Sequence, residues 1–347
     1  MYAKRALELD CLIFEAHTKA YIFILAQPNP NIEIRYSLET IMKTDELCHV
    51  AITSFHDELG GDKYPFEAGR YWLFTSKVCP FAHRTELARK LTGLASEIGL
   101  TIAGSVQTEK GWNIGQPYMG HESKPNPISG VDRLPDVYEL ASPGYAGRAS
   151  VPVLFDTKTQ TIVNNESAEI LQQLDAIATK ETEHASLYPE ARRKEIDAII
   201  DELNNEFISP IYRSGFAKDQ QTYDENTARV FDALARLESH LNKGGIYLAG
   251  DQLTLADLHA YPHLSRFDGV YHSLYRLNSA FIRDYPSITL YLERLGNIDD
   301  FADTLDIKSA KAGYFLSWNQ PTNAHFVPSG PIVNSRSGVA VVNTRAV

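Results

Sequence analysis

Residues 70–84 read RYWLFTSKVCPFAHR, and they are the most informative part of the chain. Residues 71–74 form a short apolar run, which predicts a buried strand that ends at Ser76. Cys79 and Pro80 then open a segment rich in helix formers that extends to Thr92. Proline is favoured in a first helical turn because its missing N–H has no partner there. The stretch therefore predicts a strand followed by a helix, with a cysteine where the two meet.

A cysteine at the start of a helix lies beside free N–H groups and a partial positive charge. This field favours thiolate over thiol, so we expect a lowered pKa and a reactive Cys79. Lys77, His83 and Arg84 are expected to add positive potential nearby. The alternative is a buried structural cysteine before an ordinary helix.

Composition limits the possible functions. The chain has 347 residues, of which 44% are hydrophobic and 22% charged, as in a folded protein with room for two domains. Its 33 basic and 44 acidic residues give a net charge of −11. A field of that sign argues against nucleic acid and anionic membranes as general partners. A small anionic ligand would need a local basic pocket.

The cysteines indicate a reducing compartment. Cys11, Cys48 and Cys79 are odd in number and widely spaced, which does not suggest a disulfide framework. Ala82 stands where a CxxC motif would place its second cysteine, and no metal spacing is present. The longest early apolar run, residues 20–26, is too short to span a bilayer. We therefore expect a cytoplasmic protein without a metal or a membrane anchor.

The N-terminal half predicts an α/β domain over residues 68–178, preceded by an extension, residues 1–67. A long Gly, Pro and Asn-rich insertion at 107–148 is expected to form a functional or mobile loop. The predicted strands are 70–76, 99–106, 151–156 and 161–164, and the predicted helices are 80–92 and about 166–179.

The second half predicts an all-α domain over residues 186–305. Its amphipathic candidates are 191–207, 224–241, 255–264 and 287–296. Residues 306–347 predict a tail with little periodicity that partly covers the site and is disordered beyond about Gly330.

Two motifs in the first domain could contact a ligand. Val151-Pro152 opens a strand, as a proline may. In a thioredoxin-like domain this position holds a cis-proline facing the active cysteine, and the backbone before it can pair with a peptide-like ligand. Glu166-Ser167 begins a helix, where Ser167 as N-cap would form an anion site and Glu166 could take an ammonium. Glu166 and the anion site at Ser167 together suit the head of an amino acid, such as that of a γ-glutamyl group. The alternatives are an ordinary strand start and simple helix capping.

A third motif belongs to folding. Thr254 and Asp257 resemble a capping box, and Leu253 and Leu258 a hydrophobic staple. Losing such a cap costs about 1 kcal/mol.

The order of these motifs resembles the cytosolic glutathione transferases, and the detail resembles their Xi class, the glutathionyl-hydroquinone reductases. The resemblance implies a thioredoxin-like N-terminal domain followed by a helical C-terminal domain, and it covers about residues 60–331. The segments that carry it are CPFAHRTELARKLTGL (79–94), GW (111–112), GR (147–148), VPVLFD (151–156) with IVNNES (162–167), YRSGFA (212–217) and RFDGVY (266–271).

The resemblance implies a reaction at Cys79. In that family the matching cysteine attacks the sulfur of a glutathionylated hydroquinone, hydroquinone leaves, and a mixed disulfide with glutathione forms. A second glutathione then releases oxidised glutathione and restores the thiolate. Ala82, in place of a second cysteine, fits this cycle. The implied partners are glutathione as co-substrate and an aromatic small molecule.

The resemblance also implies the glutathione site. Trp112, Arg148, Val151, Glu166 and Ser167 match the family's glutathione-binding positions. Trp112 would cover the peptide, Arg148 would supply positive charge, and Val151 would offer its backbone.

The acceptor side departs from the family pattern. The family tail reads approximately His-Tyr-Tyr-Gly-Ser-His, whereas residues 313–318 read GYFLSW. Tyr314 is kept and could hydrogen-bond or protonate the leaving phenolate, but both histidines are replaced, the second by Trp318. Asn204 aligns with a second family tyrosine, and Phe81 replaces the usual tryptophan. Tyr212 and Tyr271 are further aromatic candidates for the substrate site, or else core or interface residues.

These observations favour a reductase acting on glutathionyl-hydroquinone-type conjugates. Two alternatives stay open. The first is a fold recruited to another glutathione adduct or to an isomerase-like or cyclase-like step. The second is a non-catalytic ligand-binding module. The family forms dimers through its helical domains, so we expect a homodimer.

Overall fold

A computed structural model describes residues 55–116, 123–181, 184–318 and 326–341. These described residues belong to one compact unit. Its first half alternates strands and helices: β1 (Tyr71–Ser76), α1 (Pro80–Leu91), β2 (Gly99–Ala103), α2 (Leu134–Ala141), β3 (Val153–Asp156), β4 (Thr161–Asn164) and α3 (Ser167–Glu181).

The four strands form one mixed sheet in the order β2-β1-β3-β4. β1 pairs with β2 in parallel, and β3 pairs antiparallel with both β1 and β4. The peptide bond between Val151 and Pro152, just before β3, is cis, as predicted. This thioredoxin-like arrangement confirms the α/β expectation.

Both outer strands of the sheet have further hydrogen-bond partners. Along β4, the N–H of Asp57 donates to the Val163 carbonyl at 2.9 Å. Along β2, the N–H of Lys124 donates to the Leu100 carbonyl at 2.8 Å, and Ser123 Oγ accepts from the N–H of Ile102 at 2.9 Å. Residues from the N-terminal extension and from the insertion therefore lie along the two edges.

The insertion is not a loop throughout, so that part of the prediction is wrong. Residues 134–141 form helix α2, which begins at Leu134 with Pro135 in its first turn. The helix buries Leu134, Val137 and Tyr138, a spacing of three and four that gives one apolar face.

The second half is helical, as expected. After a 3₁₀ turn (Glu190–Arg192), α4 (Arg193–Glu202) continues through a π-helical segment (Leu203–Ile208) into α5 (Ser209–Gly215). The remaining elements are α6 (Gln220–Leu241), α7 (Leu255–Arg266), a π-helical segment (Phe267–Tyr271), α8 (His272–Leu274), a 3₁₀ turn (Ile282–Asp284), α9 (Pro286–Gly296), α10 (Asp299–Thr304) and α11 (Ile307–Leu316).

The predicted capping box at the start of α7 is confirmed. Asp257 Oδ2 accepts from the N–H of Thr254 at 2.9 Å. Asp257 Oδ1 also accepts from the N–H of Leu248 and from the Tyr291 hydroxyl, both at 2.9 Å. The box therefore ties α7 to α9 and to the chain before it. Helix α1 packs against α7 and α3, which brings the two halves of the fold together at Cys79.

The prediction of an irregular tail is wrong for residues 307–316, which form α11. Asp306 Oδ1 caps this helix by accepting from the N–H of Ser309 at 2.8 Å. Ile307, Ala310 and Tyr314 are buried on one face, and this short pattern was masked by small and polar neighbours.

The expected disorder beyond Gly330 is also wrong for the described residues 330–341. Val333 bridges Ala340, and both Val339 and Ala340 are buried. Asp268, in the π-helical segment after α7, accepts from the N–H of Ala340 at 2.7 Å and from that of Ile282. Specific hydrogen bonds therefore hold this part of the tail.

Candidate active site

Cys79 is the N-cap of α1, at the end of the loop that follows β1. Its sulfur accepts from the N–H of Ala82 at 3.4 Å, as an N-cap side chain does. The thiol also faces the Val151 carbonyl oxygen, 3.5 Å away, just before the cis-proline. The cysteine and the proline loop, 72 residues apart in sequence, thus meet as predicted.

The expected lowering of the Cys79 pKa is wrong. Burial raises the pKa of the thiol, although part of the side chain still reaches solvent. The N–H groups of Ala82 and Phe81 lower the pKa, as do the charges of Arg266 and Arg148, but burial outweighs them. The helix N-terminus therefore lowers the pKa of Cys79 as predicted, but by less than burial raises it.

The three basic residues expected near Cys79 differ in how much positive charge they provide. Lys77 Nζ is neutralised by Glu86, 2.6 Å away in a buried pair. Burial holds the pKa of His83 well below its usual range, so its imidazole is neutral. Arg84 is buried beneath the Phe81 ring, and although burial lowers its pKa to about 10, it stays charged at neutral pH.

Sequence reasoning missed Arg266, the last residue of α7. Its Nη2 donates to the Lys77 carbonyl at 2.7 Å, and its Nη1 lies 3.0 Å from His83 Nδ1. Because a guanidinium only donates, Nδ1 of His83 accepts and its proton lies on Nε2, 2.9 Å from Thr304 Oγ1. The motif RFDGVY contains Arg266, but only the fold places it beside the Cys79 loop.

The residues matched to glutathione binding lie in several segments. Val151 and Ser167 are buried, Trp112 is 7% exposed, and Glu166 and Arg148 are exposed. Ser167 is the first residue of α3 and not its N-cap as predicted. Instead, Asn164 Oδ1 accepts from the N–H of Glu166 at 2.8 Å, because the asparagine at the end of β4 turns back onto the helix start.

Three tyrosines form a cluster that we call the tyrosine triad: Tyr212, Tyr271 and Tyr314. The hydroxyl oxygens are 3.2 Å apart for Tyr212 and Tyr314, 3.4 Å for Tyr271 and Tyr314, and 3.5 Å for Tyr212 and Tyr271. Burial raises the pKa of each phenol, so all three hydroxyls keep their protons at neutral pH. The structure therefore brings together three residues that lie on α5, the second π-helical segment and α11.

Phe81 connects the cysteine to the tyrosine triad. Its ring stacks on Tyr212 with 6.1 Å between centroids, and it meets the His263 ring edge to face at 5.0 Å. Electrostatic interactions also link Tyr271 with Cys79. The nucleophile candidate and the phenols thus border one region.

Asn204 and Trp318 are not brought into this cluster. Asn204 is half-buried in the first π-helical segment, and within the described residues no hydrogen bond joins it to Cys79 or to the triad. Trp318 follows α11 and is 59% exposed, with its N–H donating to the Gln107 carbonyl at 3.2 Å.

Gly313 explains one departure from the family tail. A Cβ atom at this position would lie 2.2 Å from Val78 Cγ2 and 2.3 Å from the Ser105 carbonyl oxygen. Contact distances that short do not occur, so no side chain fits. The missing histidine is therefore a consequence of the close approach of α11 to the residue before Cys79.

Comparisons with known proteins give the family. Residues 78–177 match the N-terminal domain of glutathione S-transferases, and residues 220–294 match their C-terminal domain. Over 266 residues the chain is 37% identical to glutathionyl-hydroquinone reductase PcpF of Sphingobium chlorophenolicum, covering 76% of this chain and 84% of PcpF. The chain belongs to the Xi-class glutathione transferases, the glutathionyl-hydroquinone reductase family.

Solved structures of this family have the same fold. The Xi glutathione transferase from Phanerochaete chrysosporium matches with a TM-score of 0.75 and 35% identity, over 81% of this chain and 95% of the other. The glutathione-bound structure of YqjG from Escherichia coli K-12 matches with a TM-score of 0.73 and 34% identity, over 78% and 87%. The predicted fold class and family resemblance are confirmed.

Two further properties concern metals and membranes. In the described parts of this Xi-class chain, no three His, Cys, Asp or Glu side chains are grouped so that they could hold a metal ion. None of the helices described above is both long and apolar enough to cross a bilayer.

Proposed function

We propose that this protein is a glutathione-dependent reductase that removes glutathione from glutathionyl-hydroquinone-type aromatic conjugates. The observation that carries the proposal is the position of Cys79. Its sulfur lies at a helix N-terminus and faces the Val151 carbonyl before a cis-proline, where an extended peptide could pair. The relative PcpF, by name a glutathionyl-hydroquinone reductase, supports the choice of substrate.

The first step is attack of the Cys79 thiolate on the sulfur of the conjugate. A sulfur–sulfur bond forms, and the bond from that sulfur to the aromatic carbon breaks. The electron pair of the broken bond stays with the aromatic fragment, which takes one proton and leaves as hydroquinone. Cys79 is then oxidised to a mixed disulfide with glutathione.

The second step restores the thiolate. A second glutathione, as its thiolate, attacks the glutathione sulfur of the mixed disulfide. Oxidised glutathione leaves, Cys79 is reduced again, and the second glutathione has given up one proton. Two glutathionyl groups and one hydroquinone therefore leave for each conjugate consumed, and no second protein cysteine is needed.

The glutathione site comprises Val151, Trp112, Arg148, Glu166 and Ser167. Val151 offers its main chain to the peptide, and the N-terminus of α3 at Ser167 offers N–H groups to a carboxylate. Exposed Glu166 would meet the ammonium of the γ-glutamyl group, and exposed Arg148 would meet a carboxylate.

The acceptor site is the region between Cys79 and the tyrosine triad. Tyr314 donates a hydrogen bond or the proton to the aromatic fragment, and Tyr212 and Tyr271 hold its hydroxyl in place. Phe81 supplies an aromatic wall that stacks on Tyr212. Asn204 and Trp318 are assigned a lesser part, since in the described residues no hydrogen bond or ring contact joins either of them to the triad.

A second candidate function keeps glutathione and changes the acceptor. Gly313 leaves no room for the side chain that the family pattern has there, so α11 lies close to the Cys79 loop and reshapes the acceptor side. Such a site would take a different glutathione adduct.

We also propose that the protein is a cytoplasmic homodimer that uses its helical domain. The family resemblance supports both points. Light scattering of the purified protein tests the dimer, and a monomer mass at micromolar concentration would contradict it.

The decisive experiment is reduction of a glutathionyl-hydroquinone by the purified protein with excess glutathione, followed by release of hydroquinone and oxidised glutathione. We expect turnover, and intact-mass measurement of the protein with conjugate alone should show one glutathione on Cys79. Adduct formation from other conjugates but not this one would favour the second candidate. No adduct with any conjugate would favour a binding module.

A further inference from the structure

Two buried arginines lie beside the Cys79 loop, residues 77–79. Arg84, on α1, is 2% exposed, and Arg266, at the end of α7, is fully buried. Within the described ranges neither guanidinium has a carboxylate within ion-pair distance, and neither Nε–H has an acceptor. A buried charge without a counter-charge is strongly destabilising, so each needs an explanation.

Two other buried cations of the N-terminal domain have carboxylate partners. Lys77 Nζ lies 2.6 Å from Glu86, and both side chains are almost fully enclosed. Arg70 binds Asp156 through two nitrogens, at 2.6 and 2.9 Å. Arg84 and Arg266 lack such partners in the described residues, and Arg266 hydrogen-bonds the loop that carries the candidate nucleophile.

Arg266 holds the Cys79 loop from both ends. Its Nη2 donates to the carbonyl of Lys77, two residues before Cys79. Its Nη1 contacts the imidazole of His83. The main-chain N–H of His83 donates to the Cys79 carbonyl at 3.0 Å. The charge of Arg266 also lowers the pKa of the thiol.

Arg84 lies on α1, the helix that Cys79 caps. Its guanidinium carbon lies 4.8 Å from the centroid of the Phe81 ring. Its one hydrogen bond is a long one, at 3.4 Å, to the His259 carbonyl. Burial lowers the pKa of Arg84, and electrostatic interactions with Tyr212, Cys79 and Tyr271 oppose that shift.

We propose that the buried guanidinium groups of Arg84 and Arg266 are the counter-charge for the Cys79 thiolate, with Arg266 also positioning its loop. Both are positioning residues, because neither hydrogen-bonds the sulfur. The thiolate that forms during the reaction supplies the negative charge that both guanidinium groups lack in the described residues. The inference rests on the proposed function only in taking Cys79 as the reacting thiol.

The other titratable groups around the thiol leave this role to the arginines. His83, His259 and His263 are neutral because burial keeps the pKa of each well below its usual range. Lys77 is neutralised by Glu86. The remaining groups are Tyr271, whose phenol keeps its proton, and Arg148, whose exposed charge is screened by water.

The test measures the ionisation of Cys79 in Arg266→Gln and Arg84→Gln. Iodoacetamide alkylation is followed from pH 5 to 10, and mass spectrometry of the Cys79 peptide separates this cysteine from Cys11 and Cys48. We expect each variant to raise the apparent pKa of Cys79 by about one unit, which is a tenfold lower alkylation rate below that pKa. Arg266→Lys, which keeps the charge, should shift it less than Arg266→Gln.

Arg89→Gln is the matched control. Arg89 is a buried arginine on the same helix, but its guanidinium donates to the Ile98 and Ala95 carbonyls, away from Cys79. Its loss should lower stability and leave the thiol pKa unchanged. Wild-type ionisation of Cys79 in both glutamine variants, or an equal shift in Arg89→Gln, would overturn the proposal.

Two features keep the test decisive. Arg84→Gln breaks no hydrogen bond to the Cys79 loop, so it tests the charge even where Arg266→Gln does not fold. Alkylation needs no conjugate, so this inference can fail while hydroquinone release stands. Conversely, absence of turnover with a normal arginine effect would remove the proposed function alone.

Discussion

In the described residues the Cys79 sulfur hydrogen-bonds main-chain atoms, whereas the Tyr314 hydroxyl hydrogen-bonds other side chains. The sulfur meets the N–H of Ala82 and the carbonyl of Val151. The Tyr314 hydroxyl meets the hydroxyls of Tyr212 and Tyr271, on two other helical segments. We refer to these as the thiol side and the tyrosine side of the site.

The difference explains how each side tolerates change. Main-chain groups persist under most substitutions, so the thiol side needs only a cysteine at a helix start and a cis-proline opposite it. The tyrosine side depends on three side chains and on the positions of three elements. We therefore expect the thiol side to determine whether a reaction occurs and the tyrosine side to determine its rate and substrate.

The largest effect is expected from Cys79→Ser on the thiol side. A serine hydroxyl does not ionise near neutral pH, so turnover of a glutathionyl-hydroquinone should fall by about 10⁴-fold or more. Glutathione binding, measured by calorimetry, should change little because the main-chain contacts remain. Unchanged turnover in this variant would remove Cys79 as the nucleophile.

Asp268→Asn tests the tail behind the tyrosine side. Burial raises the pKa of Asp268 to about 6, with Arg283 opposing the shift and Asp284 adding to it. Because the folded carboxyl holds its proton more tightly than the unfolded one, its contribution to stability is complete below about pH 4. That contribution is lost as the pH rises through about 6, on the order of 3 kcal/mol in total.

The measurement is the free energy of unfolding in denaturant at pH 4, 5, 6 and 7. The unfolding free energy of the wild type minus that of Asp268→Asn should decline across this range. The titration of the other carboxylates is the same in both proteins and cancels in the difference. The asparagine also loses one of the two acceptors for Ile282 and Ala340, which is a cost independent of pH. A difference in unfolding free energy that does not change with pH would mean that burial does not raise the pKa of Asp268.

Tyr314→Phe tests the role of a single hydroxyl on the tyrosine side. It removes one hydroxyl from the triad and the proposed donor to the aromatic fragment, so kcat should fall by about 10²-fold while the KM for glutathione stays the same. Tyr261→Phe is the control, since that buried hydroxyl donates to the Arg336 carbonyl outside the triad. Equal losses in both variants would indicate a packing effect.

The smallest effect is the pH dependence of the wild type. Since burial raises the pKa of Cys79, the thiolate fraction of the free enzyme should increase about tenfold per pH unit below that pKa. Accordingly, kcat/KM for the conjugate should rise between pH 6 and 8. A rate that is constant over this range would show that the thiol is already ionised.

What the sequence predicted follows the same division. Cys79-Pro80, the cis bond at Pro152 and the capping box of Asp257 are local patterns, and the structure contains all three, although the first two also had ordinary alternatives in the sequence. The sequence could not predict that burial would outweigh the helix field at Cys79, because burial depends on elements far along the chain.

Contacts between distant segments explain the other misses. Arg266 reaches the Cys79 loop only because α7 packs on α1, and a single arginine in a helix carries no sign of this. The helix that carries Tyr314 was missed because Gly313 and its small and polar neighbours weaken the periodic pattern. Gly313 is required by packing against Val78.

The covered edges of the sheet have a consequence for self-association. An open edge strand is a template on which another chain can add a strand and aggregate. Here the N–H groups of Asp57 and Lys124 already hydrogen-bond main-chain carbonyls on the outer edges of β4 and β2. A truncation that removes residues through 57 would uncover β4, and its first symptom should be precipitation during expression while the catalytic groups stay intact.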